Sequence, residues 1–190
     1  MRDAILYKML RPIITGVYKL FFTPKFIGIE NIPSSGRVLL AGNHTSNFDA
    51  PLLISATKRN VHFLAKKELW DGPKKIIFAN MGLIPVDRKN KDGNALIMAE
   101  RYLKNEKLVG IFPEGTTEKT GEMLKFKKGA VKMAMDTDSP IVPFVITGKY
   151  KLFSKDLTIK FLKPIKCDGD IKEETERLMN IIKKERENLR

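Results

Sequence analysis

Apolar positions change their period along this chain, and the changes mark its elements. Over the first 22 residues Leu6, Met9, Leu10, Ile13, Ile14, Val17, Leu20 and Phe21 recur at helical spacing, with Lys8, Arg11 and Lys19 between them. That spacing gathers the apolar side chains on one helix face, from which the basic ones reach outward. Pro12 is expected to divide the segment into two short helices, because proline lacks an N–H and crowds the preceding turn. No apolar run reaches the roughly 18 to 20 residues that crossing a bilayer requires. Residues 1–24 therefore read as an amphipathic element suited to a membrane interface, to docking on the protein's own core, or to both.

Beyond it the pattern shortens. Apolar runs at 26–29, 38–41, 61–65, 83–86, 108–112, 140–146 and 157–162 read as strands, bounded by Gly, Pro, Asn and Ser. Helical patterns near 50–58, 67–80, 92–104 and 126–136 alternate with them, and a final helix carries Ile171, Leu178, Ile182 and Leu189 on one face. This alternation predicts one α/β domain over residues 25–190, a single mixed and mostly parallel sheet flanked by helices.

Composition narrows the partners without choosing one. With 35 Lys and Arg against 22 Asp and Glu, the 190-residue chain carries a formal charge of +13, which suits phospholipid headgroups, nucleic acid or an acidic protein. The single cysteine, Cys167, leaves no internal disulfide and reads as structural. Glycine-rich loops for ATP or a dinucleotide are missing, as is the Gly-x-Ser-x-Gly elbow of serine hydrolases. Only two histidines are present, so a catalytic metal has no support, and His62, inside an apolar strand pattern, reads as a packed structural residue.

Chemistry concentrates at strand ends. His44 follows the strand at 38–41, and Asp49 lies five residues later in Asn43-His44-Thr45-Ser46-Asn47-Phe48-Asp49. On a continuous helix five residues turn the side chains about 140° apart, so a bend is needed for them to meet. If they meet, imidazole and carboxylate form a general base; if not, Asp49 simply caps the helix that Pro51 opens and His44 fills a turn. A second junction follows the strand at 108–112 with Pro113-Glu114-Gly115-Thr116-Thr117, where Gly115 admits an anion to backbone N–H groups and the threonines add hydroxyls. A third ends in Asp87-Arg88, whose guanidinium suits a phosphate or a surface ion pair. Lys125, Lys127 and Lys128, with Lys119 nearby, could extend an anion site or merely form a solvated face.

Four ordered segments resemble the blocks of the glycerophospholipid acyltransferase family: Asn43-His44-x-Ser46-x-x-Asp49, Gly82-x-Ile84-x-Val86-Asp87-Arg88, Phe112-Pro113-Glu114-Gly115-Thr116 and Ile141-Val142-Pro143-Phe144-Val145. The likeness spans about residues 24–165 and is closest to the bacterial 1-acyl-glycerol-3-phosphate acyltransferases. It implies His44 as base with Asp49 orienting it, and Arg88, Glu114, Gly115, Thr116, Thr117 and Lys125 about the acceptor. Pro143 takes a structural or acyl-site role. The family often has arginine after Glu-Gly-Thr, where this chain has Thr117, which shifts phosphate contacts toward Arg88 or nearby lysines.

The implied reaction passes a fatty acyl group from acyl-coenzyme A or acyl carrier protein to the 2-hydroxyl of 1-acyl-glycerol 3-phosphate (lysophosphatidic acid), with no metal or cofactor. Glycerol 3-phosphate or another lysophospholipid is the alternative acceptor, and a basic membrane or nucleic-acid adaptor is the non-enzymatic alternative. The implied setting is an anionic phospholipid membrane, on its cytoplasmic side, with no nucleic acid partner.

Overall fold

The computed structural model describes residues 5–70, 80–87, 93–118 and 121–189. Helix α1 (Ile5–Val17) runs on into a π-helical turn (Tyr18–Phe22). Strands β1 (Lys25–Ile27), β2 (Val38–Gly42), β3 (Val61–Lys66), β4 (Ile84–Val86), β5 (Leu108–Ile111), β6 (Ile141–Thr147) and β7 (Thr158–Phe161) form one sheet in the order β1-β7-β6-β2-β5-β3-β4. Its pairings are parallel except for β6 with β7, which is antiparallel. Helices α2 (Asp49–Ala56), α3 (Asn94–Lys104), α4 (Gly129–Asp136) and α5 (Ile171–Asn188) complete the α/β architecture expected from the pattern.

Alternation along the central strands builds a core on each face. Val38 and Leu40 of β2, with Val142, Phe144 and Ile146 of β6, join Tyr7, Tyr18, Leu52 and Leu53 beneath α1 and α2. Leu39 and Ala41, with Ile141 and Val145, pack with Ala99, Val131, Leu178 and Ile182 beneath α3, α4 and α5. Gly42 ends β2 where the Phe144 ring and carbonyl lie 2.4 Å from the place a Cβ would take, so a side chain there would push β6 away.

Three local expectations change. α1 is continuous through Pro12. Side chains on both sides of the proline grip one surface: Tyr7 Oη donates to Arg59 O at 3.1 Å, Arg11 Nε to Thr57 O at 2.7 Å, and Tyr18 Oη to Phe48 O at 2.7 Å. These anchors outweigh the one backbone bond a proline forfeits. The apolar face of α1 and the π-helical turn also divides, with Tyr7 and Tyr18 buried while Met9, Ile13, Val17 and Leu20 face solvent. The helix expected at 67–80 is described only for a 3₁₀ turn (Lys67–Trp70) and for Asn80; residues 71–79 lie outside the described residues. Finally, Asp49 is the first residue of α2 and does not cap it, since its carboxylate turns back to the preceding residues.

Candidate active site

β2 lies between β6 and β5, all three parallel, so their C-terminal ends open on one edge of the sheet. In α/β sheets that edge is where ligands bind. The register pairs Ala41 with Ile111. His44 and Glu114, three residues beyond each, therefore leave the sheet at the same level.

Asn43 fixes the exit from β2. Its buried amide donates to Ile146 O at 2.9 Å and accepts from Ile146 N–H at 2.8 Å, substituting for a strand's backbone against β6. His44 is then held at every part. Its N–H donates to Glu114 Oε1 at 2.7 Å, and its carbonyl accepts from Glu118 N–H at 2.9 Å. The imidazole stacks on the Phe112 ring, with centroids 4.0 Å apart.

The turn closes on Asp49. His44 Nδ1 and Asp49 Oδ2 are 2.9 Å apart, and Oδ2 also accepts from Thr45 N–H at 2.6 Å and Ser46 N–H at 2.9 Å. On Oδ1 the donors are Thr45 Oγ1 at 3.0 Å and Tyr150 Oη at 2.5 Å. A carboxylate only accepts, so the imidazole proton sits on Nδ1 and the lone pair on Nε2. That nitrogen has no hydrogen-bond partner among the described residues, and the His44 side chain is 15 % exposed. Such an imidazole can take a proton from a hydroxyl that reaches it.

Tyr150, which follows β6, is a site residue that sequence reasoning missed. Burial, reinforced by the Asp49 charge and the bond to it, holds its phenol well above the ordinary value, which keeps it a donor. Its ring meets Tyr18, Phe22 and Phe48, joining the N-terminal segment to the active-site turn. A tyrosine between lysines 101 residues from Asp49 carried no sequence signal of this contact.

The second junction folds against the first. Glu114 is buried, and its carboxylate accepts the N–H groups of His44 and Leu124, the latter at 2.7 Å. Burial raises its pKa while those two bonds oppose the rise. Both oxygens thus point at backbone amides that set the turn. Gly115 has φ +75°, and the Lys127 ammonium lies 2.5 Å from where its Cβ would be. Thr116 is exposed and Thr117 half-buried in the same turn. The lysine cluster separates: Lys127 lies on the Gly115 turn, whereas Lys125 and Lys128 line a cleft with Lys172, Thr175 and Met179 of α5.

Other expected residues sit apart from this pair. Arg88 and Lys119 lie outside the described residues, while Asp87 forms an ion pair with Lys67 at 3.1 Å. Pro143 is buried within β6, its carbonyl accepting from Leu162 N–H at 2.8 Å, a structural position. His62 is a packed core histidine whose Nδ1–H donates to Gly82 O at 2.8 Å and whose ring lies on Tyr102. Cys167 is buried, and its thiol is pushed up to about 11 by burial and by Glu174. No cluster of three or more metal-ligating side chains forms among the described residues.

The site so far is an oriented histidine at the C-terminal edge of an open α/β sheet, an arrangement able to accept a proton. The family model described as Acyltransferase matches residues 23–147, and the chain belongs to that family. It is 33% identical over 133 residues to a 1-acyl-sn-glycerol-3-phosphate acyltransferase of Borreliella burgdorferi, covering 68% of this chain and 53% of that one. A Bacillus subtilis protein of the same description is 32% identical over 124 residues, covering 63% and 60% respectively. The chain spans about half the length of the curated relatives it matches. Among solved structures, the 1-acyl-sn-glycerophosphate acyltransferase of Thermotoga maritima superposes with a TM-score of 0.79 at 26% identity, over 96% of this chain and 80% of that one.

Proposed function

We propose that this chain transfers a fatty acyl group from acyl-coenzyme A or acyl carrier protein to the 2-hydroxyl of 1-acyl-glycerol 3-phosphate, giving phosphatidic acid. The observation that carries the reading is the 2.9 Å contact between His44 Nδ1 and Asp49 Oδ2, which leaves Nε2 to act as base. The named activity of the relatives supports the choice of acceptor.

His44 Nε2 removes the hydroxyl proton as the oxygen attacks the thioester carbonyl carbon. Asp49 holds the reactive tautomer and steadies the imidazolium that forms. The tetrahedral intermediate collapses with cleavage of the C–S bond, and the imidazolium returns its proton to the departing thiolate. Backbone N–H groups stabilise the oxyanion meanwhile. No acyl-enzyme is required, in keeping with the buried Cys167 thiol at about 11. Arg88, Thr116, Thr117 and Lys127 are the groups we assign to the acceptor phosphate, with Gly115 giving backbone access and Glu114 fixing the turn. Lys125, in the cleft against α5, serves at most at long range.

The test presents labelled acyl-coenzyme A and acyl carrier protein donors, separately, with lysophosphatidic acid, glycerol 3-phosphate and other lysolipids in mixed micelles. Transfer to lysophosphatidic acid above the rest is expected. Lipid association without transfer to any glycerophosphate acceptor would leave only an adaptor. His44→Ala should bind lipid yet lose activity by a factor of about 100 to 10,000, the usual worth of a positioned base; unimpaired turnover removes the assignment.

We also place the reaction at a membrane surface, on the cytoplasmic leaflet, with the outward stripe of α1 and the π-helical turn as the contact. No helix among the described residues is long and apolar enough to cross a membrane. Ile13 and Leu20, 62 % and 64 % exposed, lie on that stripe with Met9 and Val17. Ile13→Ser/Leu20→Ser should sediment less with phosphatidylglycerol vesicles than the parent, and equal sedimentation rejects the contact. Deleting residues 1–22 is the poorer test, since it also strips Tyr7 and Tyr18 from the core.

A further inference from the structure

The connection from β6 to β7, residues 148–157, puts two large apolar side chains in solvent. Leu152 is 57 % and Phe153 is 72 % exposed, with Lys149, Lys151 and Lys155 exposed around them; the one acidic residue of the connection, Asp156, follows this tip and accepts Lys149 N–H at 3.1 Å. Phe153 has φ +56°, a left-handed conformation in which bulky side chains are rarely found. Such strain persists only where the surroundings enforce it. Here they do: Phe153 N–H donates to Phe21 O at 2.6 Å, and Thr23 Oγ1 donates to Ser154 O at 2.7 Å. The Phe153 ring rests against Phe21, with centroids 5.7 Å apart. The loop is thus fastened to the end of the N-terminal segment in a shape that keeps the ring turned outward.

We propose that this loop is a second lipid-docking element, which extends the α1 stripe past Leu20 and inserts Leu152 and Phe153 into an anionic phospholipid surface. The inference rests on the membrane-interface reading given above. An apolar tip ringed by lysines fits that surface, because the rings and branched chains enter the acyl boundary while long basic side chains reach back to the phosphates. The position has a consequence for access. Tyr150 belongs to the same loop, two residues before Leu152, and bonds Asp49. Lipid entering beside Leu152 and Phe153 meets the sheet edge next to the His44 and Asp49 pair.

A fluorescent reporter tests this directly. In a Cys167→Ser background, Phe153→Cys and Lys132→Cys are labelled with bimane; Lys132 is exposed on α4, which packs on the opposite face of the sheet from α1. On vesicles of phosphatidylglycerol and phosphatidylcholine containing doxyl-labelled lipid, the label at 153 should shift to the blue and be quenched, and that at 132 should not. Independently, Leu152→Ser/Phe153→Ser in the otherwise natural chain should lower vesicle partitioning by about tenfold, with an unchanged circular dichroism spectrum, given what burying apolar side chains contributes at an interface. An unquenched label at 153, or partitioning of the double variant equal to the parent's, overturns the proposal. So does a label shielded by acyl carrier protein and untouched by vesicles, which would make the loop a protein contact. Neither readout involves acyl transfer, so failure of the proposed reaction would leave this result standing, and the reverse.

Discussion

Asp49 receives hydrogen bonds from His44, Thr45, Ser46 and Tyr150, and the last of these comes from a loop with no sequence relation to the others. Removing only that hydroxyl, in Tyr150→Phe, leaves the ring in its aromatic cluster and takes one donor from Oδ1. A hydrogen bond to a charged group contributes about 1.5 to 3 kcal/mol, so kcat should fall by a factor of about 10 to 150 with KM for the lysolipid little changed. A fall in kcat with KM and Tm little changed is what a positioning role predicts and a merely structural tyrosine would not produce; full activity would reject that role. The His44 and Asp49 pair was legible because both members sit in one seven-residue turn. Tyr150 was not, because only the parallel register of β6 beside β2 brings its loop to that turn. Glu114 was half legible: its place at a strand end could be read, but its grip on the His44 backbone depends on Ala41 standing opposite Ile111.

At the scale of elements, the turn that carries Glu114 and Glu118 is tied to the last helix. Arg186 of α5, nearly buried, meets Glu118 Oε1 at 3.4 Å and donates to Gly121 O at 3.1 Å. Glu118 in turn accepts Gly121 N–H at 2.6 Å and gives its own N–H to the His44 carbonyl. Arg186→Leu strands a mostly buried carboxylate and frees the turn, and should cost about 2 to 3 kcal/mol in urea unfolding. Activity should drop further than the folded fraction does, since the turn also seats His44; activity that tracks folding alone would show α5 to be mere cover. The strand and helix rhythm itself was plain in the sequence, because parallel strands buried on both faces read as short apolar runs. What periodicity could not resolve was competition between a local rule and distant packing. Pro12 forbids a backbone bond, yet Tyr7, Arg11 and Tyr18 reach residues 57, 59 and 48 and keep α1 whole. Asp49 begins a helix, as its sequence position suggests, yet its carboxylate is drawn back to the Thr45 and Ser46 amides.

Across the whole molecule the two histidines divide their work, one at the site and one in the core, and pH separates them. His62 is buried against Tyr102 with Nδ1–H on the Gly82 carbonyl. Burial lowers its pKa, opposed by that bond and aided by the Lys107 charge. Between the folded value and the ordinary value near 6.5 the unfolded chain binds the proton and the folded chain does not. Stability is therefore full above about 6.5 and is lost as pH falls below it. Glu114 acts in the opposite sense nearer the carboxylate range: its raised pKa means the folded state keeps a proton the unfolded chain has released, so stability declines as pH climbs from about 4.5 toward the folded value. Through His62, Tm should fall between pH 7.5 and 5.5, each kcal/mol lost appearing as about 3 °C for a chain of this size. His62→Asn retains a donor where Nδ1 stands and cannot titrate. It should lower Tm at every pH through the lost ring contact with Tyr102, but with a flatter slope over that interval. A variant slope as steep as the parent's would assign the acid sensitivity to another group. Acyl transfer in the same variant, measured at pH 7.5 where His62 is neutral, should remain near the parent's, because His62 touches none of the groups around His44 and Asp49 among the described residues.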